Sequence, residues 1–145
     1  MFDVRKDIPD IDLFRKLPFL MAYILEPTMY EDYDKFLIGN WLTPDEASII
    51  CLLKYIHTMG SDKTKWHDPN ILKLKRKEVA HKLSKSDITS FMALYHEIDI
   101  HFIKAYEKFE PSFKENGLLE KGYSGKELGN KINEREFDAW KEIIQ

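Results

Sequence analysis

The sequence contains a single cysteine, Cys51, among 145 residues. The chain therefore cannot form an internal disulfide, and a thiol in an apolar run usually behaves as a small buried hydrophobe. The N-terminal residues mix acids and bases, which predicts no signal peptide. The longest early apolar run, residues 18–25, is far too short to cross a bilayer. We therefore expect a cytoplasmic protein that does not associate with membranes.

Catalytic and metal-binding motifs are scarce as well. Residues 122–126 combine glycine, serine and lysine, but without the glycine spacing and preceding strand of a phosphate-binding loop. Four residues of types that can ligate a metal lie close together in the sequence, namely His96, Glu97, Asp99 and His101. The two histidines are five residues apart, so on a helix they lie on different faces. We expect no enzyme activity, no cofactor and no bound metal.

Charged residues are numerous but unevenly distributed. The chain has 22 Lys and Arg against 25 Asp and Glu, a net charge of −3. Residues 62–85 contain eight of the cations and only three acids, so the remaining segments are acidic on balance. A polyanion would be attracted to residues 62–85 and repelled elsewhere. The charge pattern thus predicts a local binding surface and disfavours uniform coating of nucleic acid.

Helical periodicity predicts an all-α protein, a compact bundle of five to seven helices that forms a single domain over residues 1–145. A capping-box pattern predicts a helix over residues 29–38. Thr43 and Pro44, followed by two acids, form a stronger start signal. A hydroxyl cap, an early proline and acids near the positive end of the helix dipole all favour initiation. We expect this core helix to cover residues 44–57.

The second half of the chain contains three further helical patterns. Residues 70–83 are amphipathic and basic, with a break expected near Lys75. Apolar residues recur in steps of three and four over residues 87–109, which predicts one long helix. Clustered glycines predict that residues 111–129 form a mobile loop. Residues 130–144 are then expected to form an amphipathic C-terminal helix.

Residues 76–98 have the pattern of two helices joined by a short turn, as in a helix-turn-helix. Ala80 supplies a small residue where the helices would cross, and Val79 and Leu83 supply core contacts. Residues 43–98 resemble the winged-helix DNA-binding domains of replication initiators and repressors, although no glycine-punctuated β-wing follows. The resemblance implies a small DNA-binding protein of regulatory or replication type.

If duplex DNA is bound, the basic helix and turn would supply the contacts. The phosphates would be contacted by Lys73, Lys75, Arg76, Lys77, Lys82 and Lys85. Base contacts would fall to Thr89 and Ser90. These two side chains cannot make the bidentate contacts that arginine, asparagine and glutamine make, which favours weak sequence discrimination.

Two other interpretations of the sequence remain open. The hairpin can be an ordinary pair of core helices with a solvated lysine face. The protein can instead be a helical adaptor or assembly subunit, as in a phage or another multi-protein particle, or a homodimer. Its partner would then dock on patches that include Met29, Tyr30, Tyr33, Phe137 and Trp140.

Overall fold

The computed structural model describes residues 8–24, 43–110, 122 and 124–145. Within these ranges the chain forms six α-helices and no β-strand. The helices are α1 (Leu17–Ile24), α2 (Pro44–Ser61), α3 (Asn70–Ala80), α4 (Lys85–Ala93), α5 (Ile100–Lys108) and α6 (Gly125–Ile144). Short 3₁₀ turns precede α1 at Asp12–Arg15 and follow α2 at Lys63–Lys65. The predicted all-α class with five to seven helices is confirmed.

The helix at the centre of the core is α2. It begins with a capping box, in which the Thr43 hydroxyl accepts a hydrogen bond from the Glu46 amide at 3.1 Å and the Thr43 amide donates to the Glu46 carboxylate. Most of its apolar side chains are buried, and α1, α3 and α4 pack around it. The predicted helix 44–57 is confirmed and continues to Ser61. The predicted helix 29–38 lies outside the described residues.

The predicted long helix over residues 87–109 is wrong. The chain leaves the helical conformation after Ala93 and begins α5 at Ile100. Backbone hydrogen bonds of the 3₁₀ type stabilise the intervening turns. Asp99 then caps α5, since its carboxylate accepts a hydrogen bond from the His101 amide at 2.8 Å.

The apolar stripe that predicted the long helix is buried in spite of the break. Its side chains belong to the core, namely Ile88, Phe91, Tyr95, Ile98, Phe102, Ala105 and Phe109. The two shorter helices, α4 and α5, contact each other across the turn. The stripe is therefore covered within one chain and is not available as a seam between two protomers.

Of the predicted helix-turn-helix contacts between α3 and α4, those of Val79 and Ala80 are wrong, whereas Leu83 packs against the core as predicted. Residues 81–84 join the two helices, and α3 is continuous, without the break expected near Lys75. Val79 is 54% exposed and Ala80 is exposed as well. The main packing of α3 is on α2 and α6, whereas α4 packs on α2 and α5. The buried face of α3 contains Lys75 and not Val79. The side chain of Val79 therefore does not pack in the core, where the helix-turn-helix pattern placed it.

The C-terminal helix begins earlier than predicted. Residues 125–129, assigned to the loop 111–129, form the first turn of α6, and residues 111–121 lie outside the described part. Ser124 occupies the N-cap position without a side-chain capping bond. Packing of α6 on α3 and α5 buries Trp140 and Ile144.

Gly60 allows α2 to approach the turn between α4 and α5. A β-carbon at this position would lie 2.8 Å from Ile98 Cγ2 and 2.9 Å from Phe102 Cδ1. Packed carbon atoms prefer separations of about 3.5–4.0 Å, and both neighbours are buried. The close approach therefore requires glycine.

We expect Gly60→Ala to lower the free energy of unfolding by about 1–3 kcal/mol, the usual cost of overpacking. The matched control is Gly129→Ala in α6, where an added β-carbon meets nothing within 4 Å. That change should stabilise the protein by about 0.5–1 kcal/mol, because alanine favours helix more than glycine does. Urea unfolding of both variants measures the difference, and equal effects would contradict the packing assigned to Gly60.

Candidate functional site

A groove lies between α2 and α3. It consists of two cavities of about 150 and 230 Å³ that share three lining residues, Tyr55, Asn70 and Leu74. Lys65 lines the smaller cavity, and Lys73 and Lys77 line the larger one. We call this feature the α2–α3 groove.

Helical spacing explains how the sequence forms the groove. On α2, Tyr55 is followed at intervals of three and four by Thr58 and Met59, so the three side chains share a face. The lining residues of α3 have the same spacing and are Asn70, Lys73, Leu74 and Lys77. Met59 is buried, whereas Tyr55 is 42% exposed. The groove thus has an apolar floor and an aromatic ring at its edge.

Two capping interactions position the segment between α2 and α3. Asp68 accepts a hydrogen bond from the Asn70 amide at 2.9 Å at the start of α3. Asp62 accepts bonds from the Thr64 hydroxyl at 2.6 Å and from the Thr64 amide at 3.1 Å. These two bonds hold the pKa of Asp62 below its usual value. They fix the 3₁₀ turn that places Lys65 at the groove.

The α2–α3 groove is electropositive. Its described lining residues include three lysines, Lys65, Lys73 and Lys77, and one carboxylate, that of Asp68. None of these three ammonium groups forms an ion pair with another residue in ranges 8–24, 43–110 and 124–145. Their charge is therefore available to attract an anionic ligand.

Lys75, predicted to contact phosphate, points into the core instead. The residue is 1% exposed, and its ammonium lies 3.3 Å from the Glu78 carboxylate and 3.9 Å from the centre of the Tyr106 ring. Burial lowers the pKa of Lys75 and raises the pKa of Glu78, while the attraction between the two groups opposes both shifts. In this structure Lys75 is part of the core and is not accessible to a phosphate backbone.

Two other predicted phosphate contacts are paired with acids. Arg76 donates to the Glu136 carboxylate at 2.6 Å and also bonds to Asn133, which connects α3 to α6. Lys85 bonds to Glu110, and this bond holds the pKa of Glu110 below its usual value. Both cations therefore contribute less positive potential to the surface than the sequence alone implies.

The predicted base contacts, Thr89 and Ser90, lie on α4 and do not line the α2–α3 groove. The Thr89 hydroxyl donates to the Glu107 carboxylate at 3.4 Å, so an acid lies beside this part of α4. Ser90 is exposed. Lys82, in the turn before α4, is also exposed and has a positive φ of 54°.

The residues predicted to bind a protein partner do not form one surface in the described part. Trp140 is completely buried, and its indole Nε1 donates to the Trp66 carbonyl at 2.7 Å. Phe137 is half-buried beneath the ammonium of Lys141, 5.1 Å from its ring centre. The other predicted contacts lie outside the described residues, namely Met29, Tyr30 and Tyr33. Trp140 is therefore a core residue, which corrects its assignment to a docking patch.

The potential metal ligands near residue 97 have structural contacts. Glu97 bonds to His57 Nε2 at 2.9 Å, and His101 Nε2 donates to the Ile144 carbonyl at 2.6 Å. Partial burial acts to raise the pKa of Glu97, but bonds from His57 and the backbone outweigh it, so this pKa lies below its usual value. Asp99 caps α5. Among the described residues, no three His, Cys, Asp or Glu side chains are grouped to hold a metal ion.

Sequence reasoning missed Tyr55 and Lys65 as members of the candidate site. A signal for Tyr55 was present, because it lies outside the stripe formed by Ala47, Ile50 and Leu53 on the same helix. An aromatic ring outside the buried stripe of a helix is a candidate for contact with a ligand. Nothing in the sequence indicated that α3 would lie beside Tyr55.

Searches against family models, curated proteins and solved structures find no match to this chain. The functional interpretation therefore depends on the residues of the chain itself. None of the described helices is both long and apolar enough to cross a membrane.

We expect Lys75→Ala to lower the free energy of unfolding by about 3–5 kcal/mol, because it leaves the buried Glu78 without its partner. Replacing both residues, as Lys75→Met with Glu78→Leu, should be neutral or stabilising by about 1–4 kcal/mol. Lys77→Ala, an exposed change on the same helix, should stay within about 0.5 kcal/mol of the parent. Urea denaturation measures all three, and a tolerated Lys75→Ala would contradict the burial of this pair.

Proposed function

We propose that the protein is a non-enzymatic nucleic-acid-binding protein of regulatory or replication type, which contacts DNA phosphates through the α2–α3 groove. The supporting observation is that Lys65, Lys73 and Lys77 line one groove and form no ion pair with another of the described residues. Cations collected along a groove attract a polyanion and release its condensed counterions on binding.

The distribution of charge over the chain supports this location. Residues 62–85 hold the surplus of cations, and the rest of the chain is acidic on balance. The polyanion is therefore confined to a small footprint, since acidic surroundings repel phosphates beyond it. Lys82 is exposed in the turn after α3 and extends the basic surface toward α4.

The helix pair α3–α4 has less support as a reader of duplex DNA. A helix-turn-helix inserts its second helix into the major groove and contacts phosphates on both sides of it. Here Thr89 of α4 is bonded to Glu107, and Lys85 at the start of α4 is bonded to Glu110. We therefore assign the contact surface to α2 and α3, and the resemblance to winged-helix proteins remains a prediction.

The alternative of a helical adaptor or assembly subunit also remains a prediction. Of its aromatic contacts within the described residues, Trp140 is buried and Phe137 is half-buried. No contiguous aromatic patch supports this alternative there.

We expect the double variant Lys73→Ala with Lys77→Ala to bind duplex and single-stranded DNA more weakly than the parent. Removal of two phosphate contacts should reduce the slope of log affinity against log salt by about 1.4–1.8, at ~0.7–0.9 per contact. Fluorescence anisotropy over a salt titration measures both quantities. The matched control is Lys104→Ala, an exposed lysine of α5, which should bind like the parent.

Absence of binding by the parent to either form of DNA at low salt would contradict the proposed function. An equal loss in Lys104→Ala would contradict the assignment to the groove, because it would indicate a diffuse effect of net charge.

A further inference from the structure

We infer that the α2–α3 groove receives an unpaired base of a single-stranded nucleic acid, stacked on the Tyr55 ring, with the neighbouring phosphates at Lys65, Lys73 and Lys77. The inference rests on the proposed function and specifies the strand state of the ligand. Its basis is the position of one exposed aromatic ring among these lysines.

Tyr55 is common to both cavities of the groove. Tyr55 and Lys65 line the smaller cavity, and Tyr55, Lys73 and Lys77 line the larger one. Tyr55 as a residue is 42% exposed. A cationic groove that follows the backbone, combined with an aromatic platform for the bases, is the usual way in which proteins bind single strands.

The floor and edge of the groove suit a planar, polar ring. Leu74 and Met59 are buried and present apolar surface below Tyr55. Asn70 lines both cavities, and its side-chain amide offers a donor and an acceptor to the edge of a base. Asp68 is the one acid among the described residues of the lining, and one oxygen of its carboxylate accepts the hydrogen bond from the Asn70 backbone amide.

The dimensions of the groove also favour a single base. A cavity of about 150 Å³ holds benzene in a protein core. The larger cavity here has about 230 Å³, which is enough for one ring system of nucleobase size. The groove therefore accommodates a base that has left its stack.

In a duplex, both faces of every base are covered by neighbouring bases. Stacking on Tyr55 would then require a base to be unpaired and extruded. This step costs unpairing and unstacking free energy in a duplex, whereas the bases of a single strand are already unpaired. The same lysines can contact phosphates of either form. Tyr55 is consequently the residue that distinguishes the single strand from the duplex.

The test compares binding of the full chain to labelled oligo(dT), oligo(rU) and a mixed-sequence duplex, each about 16 nucleotides long, the upper end of site sizes for small binding folds. We expect the parent to bind the single strands more tightly than the duplex at the same salt. Tyr55→Leu should weaken single-strand binding roughly tenfold or more, in the range of measured losses for a stacked base. It should weaken duplex binding by a smaller factor, because paired bases are not available to the ring. Comparison of the two single strands shows whether the ribose hydroxyl contributes.

Tyr55→Phe is the matched control, because it keeps the stacking ring and removes only the hydroxyl. It should retain the single-strand affinity of the parent. Circular dichroism during thermal unfolding checks that Tyr55→Leu has the helix content and the unfolding temperature of the parent.

Two outcomes would overturn the inference while leaving the proposed function intact. One is duplex binding at least as tight as single-strand binding, and the other is a Tyr55→Leu variant that binds single strands like the parent. Failure of the parent to bind any of the three oligonucleotides at low salt would overturn the proposed function and this inference together.

Discussion

The buried ammonium of Lys75 fixes the rotation of α3 about its own axis. A charge in the core is tolerated only where protein groups replace its water, and Glu78 and Tyr106 do so here. Successive residues of a helix are rotated by about 100°, so an inward Lys75 turns Lys73 and Lys77 toward a different side of α3. They line the α2–α3 groove there. The placement of the surface lysines thus depends on a lysine inside the core.

Six of the eight cations of residues 62–85 fall into two groups. Lys75, Arg76 and Lys85 are paired with carboxylates, whereas the lysines of the groove form no ion pair in the described ranges. Lysines without an ion pair are therefore concentrated between α2 and α3, and Lys82 is the one described beside the start of α4. A duplex reader of the helix-turn-helix type needs the opposite distribution, with strong potential around its second helix. A groove with one exposed ring is better matched to a strand whose bases are accessible.

Local rules visible in the sequence predict much of the fold. The capping box at Thr43 predicts the start of α2, and the apolar stripe predicts which side chains of α4 and α5 are buried. The break between α4 and α5 could not be predicted in this way, because apolar spacing continues through Tyr95 without interruption. It is stabilised by a contact distant in sequence, that of Glu97 with His57 of α2. Periodicity describes a single helix and contains no information on such a contact.

The groove was less predictable than the fold, for a related reason. Hydropathy places Val79 inside and Lys75 outside, and the structure reverses the two because Glu78 and Tyr106 satisfy the ammonium. Each wall of the groove has regular helical spacing in the sequence, but the spacing does not specify which faces of α2 and α3 meet. That depends on the rotation of both helices, which is set by side chains from the rest of the core. A count of charges can therefore locate the basic segment, whereas the aromatic ring at Tyr55 becomes significant only when the two helices are placed side by side.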